Sequence, residues 1–136
     1  MVQKIVSTGL LIHKNKLLII QRALDEVFLP GYYELPGGKV DFGEDPKEAL
    51  AREYHEEVNL HVQIGKPFHV FSYLSENGNR HTVEILFHVT LLGNDSIELS
   101  SAHDDYQWIT PKEVDQYLMT SEIQKAIQLG FRNIRS

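Results

Sequence analysis

The sequence predicts an α/β domain, and three observations carry that reading. Alternating apolar and polar residues run through 3–22 and 61–92, the period of strands that bury one face. Between them lies "DPKEALAREYHEEVNL" (45–60), where Leu50, Tyr54 and Val58 recur every four residues as the buried stripe of a helix. A further short strand surrounds Trp108, which is expected in the core, and two helical segments follow it. Strands on both sides of one helix, with helices at the end, assemble as layers.

Taken in order, "QKIVSTGLLIH" (3–13) and "KLLIIQR" (16–22) read as strands joined through a turn at Lys14-Asn15. "ALDEVFLPGYY" is loop-like, punctuated by Pro30-Gly31. "ELPGGKVDFGED" holds three glycines and a proline, so its backbone turns tightly or comes close to something. The helix after it has Asp45 as N-cap, Pro46 at the first position, Glu48 where a capping-box acid sits, and Asn59 as a left-handed C-cap. Residues 61–75 and 80–92 form two long strands around the turn "ENGN". In the second of these, Val83, Ile85, Phe87 and Val89 alternate with Glu84 and His88, which predicts one core face. Pro111 starts a helix through about Met119, and Ser121 caps the last one.

At 136 residues, 42% apolar and 24% charged, the chain has the size and make-up of one domain spanning 1–136. The net charge of −6 argues against an extended nucleic-acid surface but is compatible with small anionic substrates if metal neutralises them. Cysteine is absent, which excludes disulfides, thiolate zinc sites and a cysteine nucleophile. No apolar run is long enough to span a membrane, and the N-terminal residues lack a signal peptide's pattern, so a cytoplasmic location without a membrane partner is expected. A homodimer is left open.

Glu53, Glu56 and Glu57 fall within roughly a 100° arc of the helix, where like charges repel. A hard divalent cation turns that repulsion into attraction, clamps phosphates and lowers the pKa of a water. Arg52 is placed to orient a glutamate through a bidentate pair. Weaker candidates are Lys39, which could touch a phosphate, and Phe28, Tyr32 and Tyr33, for which packing outweighs base stacking. Arg80 and His81 follow the hairpin turn, with His81 a candidate to face the pocket. The seven histidines lack the spacing of a zinc site.

The run Gly38 to Leu60, "GKVDFGEDPKEALAREYHEEVNL", resembles the Nudix box of the Nudix hydrolases. That box is a glycine, a glutamate after five residues, and after seven more Arg-Glu-apolar-x-Glu-Glu-x-Gly-apolar. Gly38, Glu44, Arg52, Glu53, Tyr54, Glu56, Glu57 and Leu60 stand at the matching positions. The six fixed polar or glycine matches would coincide by chance at ~10⁻⁷ per start site, from average residue frequencies. "LLIIQR", "PGYYELPGGKV" and "DDYQWITPKEV" extend the likeness to MutT-like members.

The resemblance implies the Nudix fold, a mixed β-sheet sandwiched between α-helices, and Mg²⁺- or Mn²⁺-dependent hydrolysis of a nucleoside diphosphate linked to another moiety. Carried over, Glu53, Glu56 and Glu57 hold metal with the Gly38 carbonyl, Arg52 orients one glutamate, and Glu44 pins the loop to the helix. Arg22 ends its strand where relatives often place a substrate-contacting arginine. Water attacks a bridging phosphate, and a triphosphate yields a monophosphate and pyrophosphate.

Two positions depart from the pattern. Asn59 replaces the family's glycine, a mild change because asparagine tolerates a left-handed cap. Ala102 stands where many relatives carry a glutamate just before a histidine, so Asp104, Asp105 or Glu98 would have to substitute, or Glu53 acts as base alone. Among substrates a nucleoside triphosphate leads, as in compact MutT-like members. A dinucleoside polyphosphate, nucleotide sugar or capped RNA end is the alternative, and a non-catalytic nucleotide-sensing module ranks below both. "LMTSEIQKAI" offers no clear counterpart of the asparagine that some members use to read a purine.

Overall fold

The computed structural model describes residues 1–135, without the side chain of Arg135. Its order is β1 (Val2–His13), β2 (Lys16–Arg22), β3 (Tyr33–Glu34), β4 (Gly37–Lys39), α1 (Pro46–Val58), β5 (His61–Ser75), β6 (Arg80–Leu92), β7 (His103–Ile109), a 3-10 turn (Pro111–Gln116) and α2 (Ser121–Arg135). The strand β1 is the axis of a mixed sheet. It runs parallel to β6 from Val2↔Arg80 to Leu11↔Val89, while β4 lies antiparallel to its first half and β2 to its last residues. Beyond β6 lies β5, and β2 carries β3 and β7. Among the described residues no helix is long and apolar enough to cross a membrane.

Each face of the sheet is covered by a helix, and the alternation along the strands divides the core in two. Leu11, Leu18, Ile20, Phe87 and Val89 pack with Leu50, Tyr54 and Val58 of α1. Their neighbours Leu10, Leu17, Ile19 and Leu86 pack with Ile123, Ala126 and Ile127 of α2. Strands covered on both sides read as continuous apolar runs, which explains "GLLIH" and "LLII".

The helix α1 follows its sequence signals closely. The Asp45 carboxylate accepts from the N–H groups of Lys47 (2.9 Å) and Glu48 (3.3 Å), and Asn59 closes the helix at φ 58°. The Tyr54 hydroxyl, fully buried, donates to the Gly9 carbonyl at 2.9 Å and ties the helix to β1. At its other end the Ser7 hydroxyl donates to the Pro46 carbonyl at 2.8 Å.

Three expectations are corrected. Residues 111–119 do not form one helix; the 3-10 turn ends at Gln116 because Leu118 leaves it to accept the N–H of Tyr33 at 2.7 Å, extending the sheet edge. Ser121 opens α2 but does not cap it, since Thr120 Oγ1 accepts the N–H of Ile123 at 3.3 Å. The core face expected of Val83, Ile85, Phe87 and Val89 is also incomplete. Val83 and Ile85 are half-buried, while Thr82, Glu84 and Leu86 on the opposite face are buried, because both faces of β6 are covered.

Glu84 is the charged member of that face, 8% exposed, and its Oε2 accepts the Thr8 hydroxyl at 2.9 Å. Burial pushes its carboxyl up to about 7, the Thr8 bond opposing this and the charge of Glu34 adding to it. A carboxyl raised on folding lends stability that is complete below the ordinary carboxylate range and lost as pH rises through its folded value.

Two outcomes follow from the caps and the buried acid. Asn59→Gly keeps stability within about 1 kcal/mol in denaturant unfolding, whereas Asn59→Val costs about 1–2 kcal/mol from its left-handed backbone. Glu84→Gln removes the loss of stability between about pH 5 and about pH 8, so its melting temperature overtakes the wild type's as pH rises, by a few degrees. Parallel melting profiles for the two proteins would contradict the second outcome.

Candidate functional site

The site begins at two glycines of β4: a Cβ on Gly37 would strike the Ser7–Thr8 backbone of β1, and Gly38 faces Glu53 of α1. The Gly37 N–H donates to Glu57 Oε1 at 2.9 Å. A Cβ on Gly38 would stand 2.5–2.7 Å from the carboxylate atoms of Glu53, so the Glu53 carboxylate occupies the space a side chain there would take. Glu53 and Glu57 therefore lie against the backbone of β4, while Glu56 is exposed at the rim.

Arg52 organises the acids around it. Its Nε and Nη2 donate to the two oxygens of Glu44, each at 2.9 Å, a bidentate pair. Its Nη1 donates to Glu53 Oε1 at 3.0 Å and Glu56 Oε2 at 3.2 Å, and Nη2 also reaches the Lys39 carbonyl at 3.2 Å. Glu44 accepts the Asp41 N–H at 3.0 Å besides, so the loop 41–44 is fastened to the helix. Arg52 and that N–H bring the Glu44 carboxyl down to about 2.

Behind Glu57 lies a contact that the sequence reading missed. Glu34 and His103 join Glu57, with one ligand-capable atom of each within 4.8 Å of the others. In the Nε2–H tautomer His103 donates to Glu34 Oε2 at 3.0 Å, with Glu57 Oε2 at 3.9 Å and the Ser100 hydroxyl facing Nδ1 at 3.3 Å. Among the described residues this cluster, rather than Glu53, Glu56 and Glu57 alone, is where potential ligand atoms converge. The histidine spacing gave no sign of it because His103 joins carboxylates, not other histidines. The glutamate just ahead of "LPGG" and the histidine just after Ala102 were its visible signals.

A cavity of about 770 Å³ opens from Glu57, and the other candidates are sorted by their relation to it. Arg22 and Lys39 both line it. Arg22 is already engaged, its Nε donating to the Phe28 carbonyl at 2.6 Å and its Nη1 standing 3.5 Å from Glu34. Phe28 and Tyr32 line the cavity, with Arg22 5.7 Å from the Phe28 ring centre. Tyr33 packs edge-on to Tyr117 and donates to Asp105 Oδ2 at 2.6 Å, fixing it as a structural residue on one side of the wall. Arg80 lines the cavity and pairs with Glu76, but His81 does not line it and bonds Gln3 instead.

The late loop supplies no substitute acid at the cluster. Asp104 accepts the Leu24 N–H at 3.2 Å, and Asp105 is held by Tyr33 and by Gln107 at 3.0 Å. The carboxyl of Asp105 is lowered: burial raises it, but the bonds from Tyr33 and Gln107 outweigh that. The Glu98 backbone N–H bonds the Val58 carbonyl, which fastens the loop to the end of α1.

The electrostatics favour a cation. Burial raises the carboxyl of Glu53, with Arg52 opposing and Glu56 adding. Burial raises Glu57 further, the Gly37 N–H opposing, while Glu34 and Glu53 add. One guanidinium serves Asp41, Glu44, Glu53 and Glu56, so negative charge is in excess. Carboxylate and carbonyl oxygens at this spacing are the donors that Mg²⁺ and Mn²⁺ take, and the residues fit such an ion.

Known proteins show the family and the fold. The family model described as NUDIX domain matches residues 3–129. The chain is 31% identical over 87 residues to the ADP-ribose pyrophosphatase of Methanocaldococcus jannaschii, covering 64% of this chain and 50% of that protein. It is 32% identical over 68 residues to the 8-oxo-dGTP diphosphatase of Escherichia coli, covering 50% and 53%. The matched stretch thus spans about half the length of these curated relatives. The crystal structure of the MutT protein from Methanosarcina mazei superposes with a TM-score of 0.85 at 21% identity, over 98% of this chain and 96% of that one, which shows the same fold. With the mixed sheet, the glycine-bound acid helix and the family match across nearly its whole length, the chain belongs to the Nudix family.

Proposed function

We propose that the chain, acting as one domain over 1–136, is a Mg²⁺- or Mn²⁺-dependent pyrophosphohydrolase that cleaves a nucleoside triphosphate to a monophosphate and pyrophosphate. The observation that carries this reading is the closure of Glu53 and Glu57 on the glycines of β4, at one end of a cavity with Arg22 and Lys39 on its wall. In it, Glu53, Glu56 and Glu57 hold the ion with the Gly38 carbonyl. Once bound, the ion supplies Lewis-acid polarisation of the phosphate oxygens and a lowered pKa for attacking water.

The remaining roles belong to the chain. Arg52 holds Glu53 and Glu56 in position and offsets their mutual repulsion. Glu44 sets the guanidinium by its bidentate pair. Lys39 is exposed and donates to phosphate oxygens, and Arg22 turns from Glu34 toward the same group. Glu53 takes the proton of the attacking water at a carboxylate oxygen. Burial raises its carboxyl, the direction that strengthens a base, and Asp104 and Asp105 are engaged elsewhere. The name of the E. coli relative supports a triphosphate substrate. The name of the archaeal relative supports a second reading, the same chemistry on a nucleoside diphosphate sugar.

Chromatography of products from triphosphates and ADP-ribose with Mg²⁺ separates the two. The proposal expects monophosphate and pyrophosphate from a triphosphate, no turnover in chelator, and a kcat about a hundredfold lower or less in Glu57→Gln. Full metal-dependent activity in Glu57→Gln would remove the acid helix from the mechanism.

A further inference from the structure

The longest strand of the sheet lies at its edge. β5 ends the order β3-β2-β1-β6-β5 and pairs with β6 alone. In an antiparallel strand every second residue turns its N–H and C=O away from its neighbour, so an edge strand offers a row of unpaired donors and acceptors. Among the described residues no other strand or loop takes that row over 68–74. Proteins blunt such edges with charge, proline and bulges. The first half of β5 has all three, in Lys66, Pro67 and the register shifts between Ile64 and His69. The protection stops there. From His69 to Ser75 the pairing with β6 is unbroken, and "FHVFSYLS" (68–75) holds no proline and no Asp, Glu, Lys or Arg. By contrast β3, at the opposite end, is two residues long, and β7, which pairs only with β2, carries Asp104 and Asp105.

This stretch is apolar on both faces. Val70 and Leu74 stand opposite Ile85 and His81 of β6, on the face that carries α1, yet they are 57% and 66% exposed. Phe71 and Tyr73 project to the other face, where they line the cavity with their rings 6.1 Å apart. Ser72, exposed, lies at the centre. The order is symmetrical about that serine, with an aromatic residue one position away on each side and an aliphatic one two positions away. An antiparallel copy laid along the edge with Ser72 opposite Ser72 therefore sets Phe71 against Tyr73 and Val70 against Leu74, apolar on apolar at each pair. The chain carries a net charge of −6, and along this uncharged stretch two copies meet without bringing like charges together. Eight residues give an edge about 26 Å long and about 10 Å thick. With its apolar pairs it buries roughly 1,000 Å² over two copies, the size of a reversible dimer rather than a permanent one.

We propose that the outer edge of β5 is a self-association surface, on which a second copy pairs antiparallel about a two-fold axis at Ser72 and continues the sheet. Such a contact is isologous, so it closes on itself and leaves no β5 edge for a third copy. It also brings the two cavities to one seam, where Phe71 and Tyr73 of the second copy extend the aromatic wall of the first.

Sedimentation of the full chain over a range of concentrations reads the association. The expected result is a monomer–dimer equilibrium with a dissociation constant on the order of 10–100 µM. Ser72→Lys, at an exposed position, sets two like charges opposite each other and is expected to weaken the dimer about fivefold or more, as is Ser72→Glu. Mixing the two variants is expected to restore it. Because the chain has no cysteine, Ser72→Cys reports the register. Opposite residues of an antiparallel pair have Cα atoms about 4.5–5.5 Å apart, within disulfide reach. Oxidation is expected to cross-link Ser72→Cys into a covalent dimer. Val70→Cys is also exposed, but this register holds it about 13 Å from its own copy, and it is expected to stay uncross-linked. A single monomeric species up to about 1 mM would overturn the proposal and leave the edge to a strand of another protein. So would a dimer indifferent to Ser72→Lys, or cross-linking of Val70→Cys as fast as that of Ser72→Cys.

Discussion

Two missing side chains set the geometry of the site. At Gly37 and Gly38 the backbone of β4 comes close enough to α1 for Glu57 to take a backbone N–H and for Glu53 to lie where a Cβ would otherwise stand. Everything that gives the acid cluster its character follows from that approach. It buries Glu53 and Glu57, and burial raises their carboxyls. It brings Arg52 within reach of the Lys39 carbonyl as well as of four acids. A methyl at position 38 would meet the Glu53 carboxylate and displace that side chain from its place against the strand.

The approach is affordable because α1 is held independently of its acids. Tyr54 packs in a closed core and bonds Gly9, and Ser7 bonds Pro46 at the helix start. Those bonds lock one stripe of the helix to the sheet, leaving the stripe a quarter-turn away free to carry like charges. A single guanidinium then moderates their repulsion without neutralising it, which keeps the site attractive to a cation. On the other face α2 closes the core, and Glu84 and Thr8 are buried in the sheet beside it.

Much of this was legible in the chain. The caps at Asp45 and Asn59 and the long strands are local signals that the structure keeps, and the spacing of Gly38, Glu44, Arg52, Glu53, Glu56 and Glu57 is a near-local signal that brings Arg52 beside Glu44, Glu53 and Glu56. The parts that were not legible depend on distant pairing. The strands β3 and β4 are too short to show a period and exist because β1 and β2 offer edges. The helix from Pro111 stops early because the Leu118 carbonyl is claimed by the N–H of Tyr33, far away in the chain. Glu34 and His103 meet across 69 residues, and no spacing rule connects them. Glu84 read as the polar side of an amphipathic strand, and only the second helical layer makes that side an interior.

The central claim is that the glycine-bound glutamates of α1 form a divalent-cation site. Titration of the chain with Mn²⁺, followed by the loss of the free-ion electron paramagnetic resonance signal, tests it most directly. The account predicts stoichiometric uptake by the wild type and clearly weaker uptake by Glu53→Gln and Glu57→Gln, with their melting curves in chelator otherwise intact. Uptake by both variants equal to the wild type's would place the ion elsewhere and contradict the account.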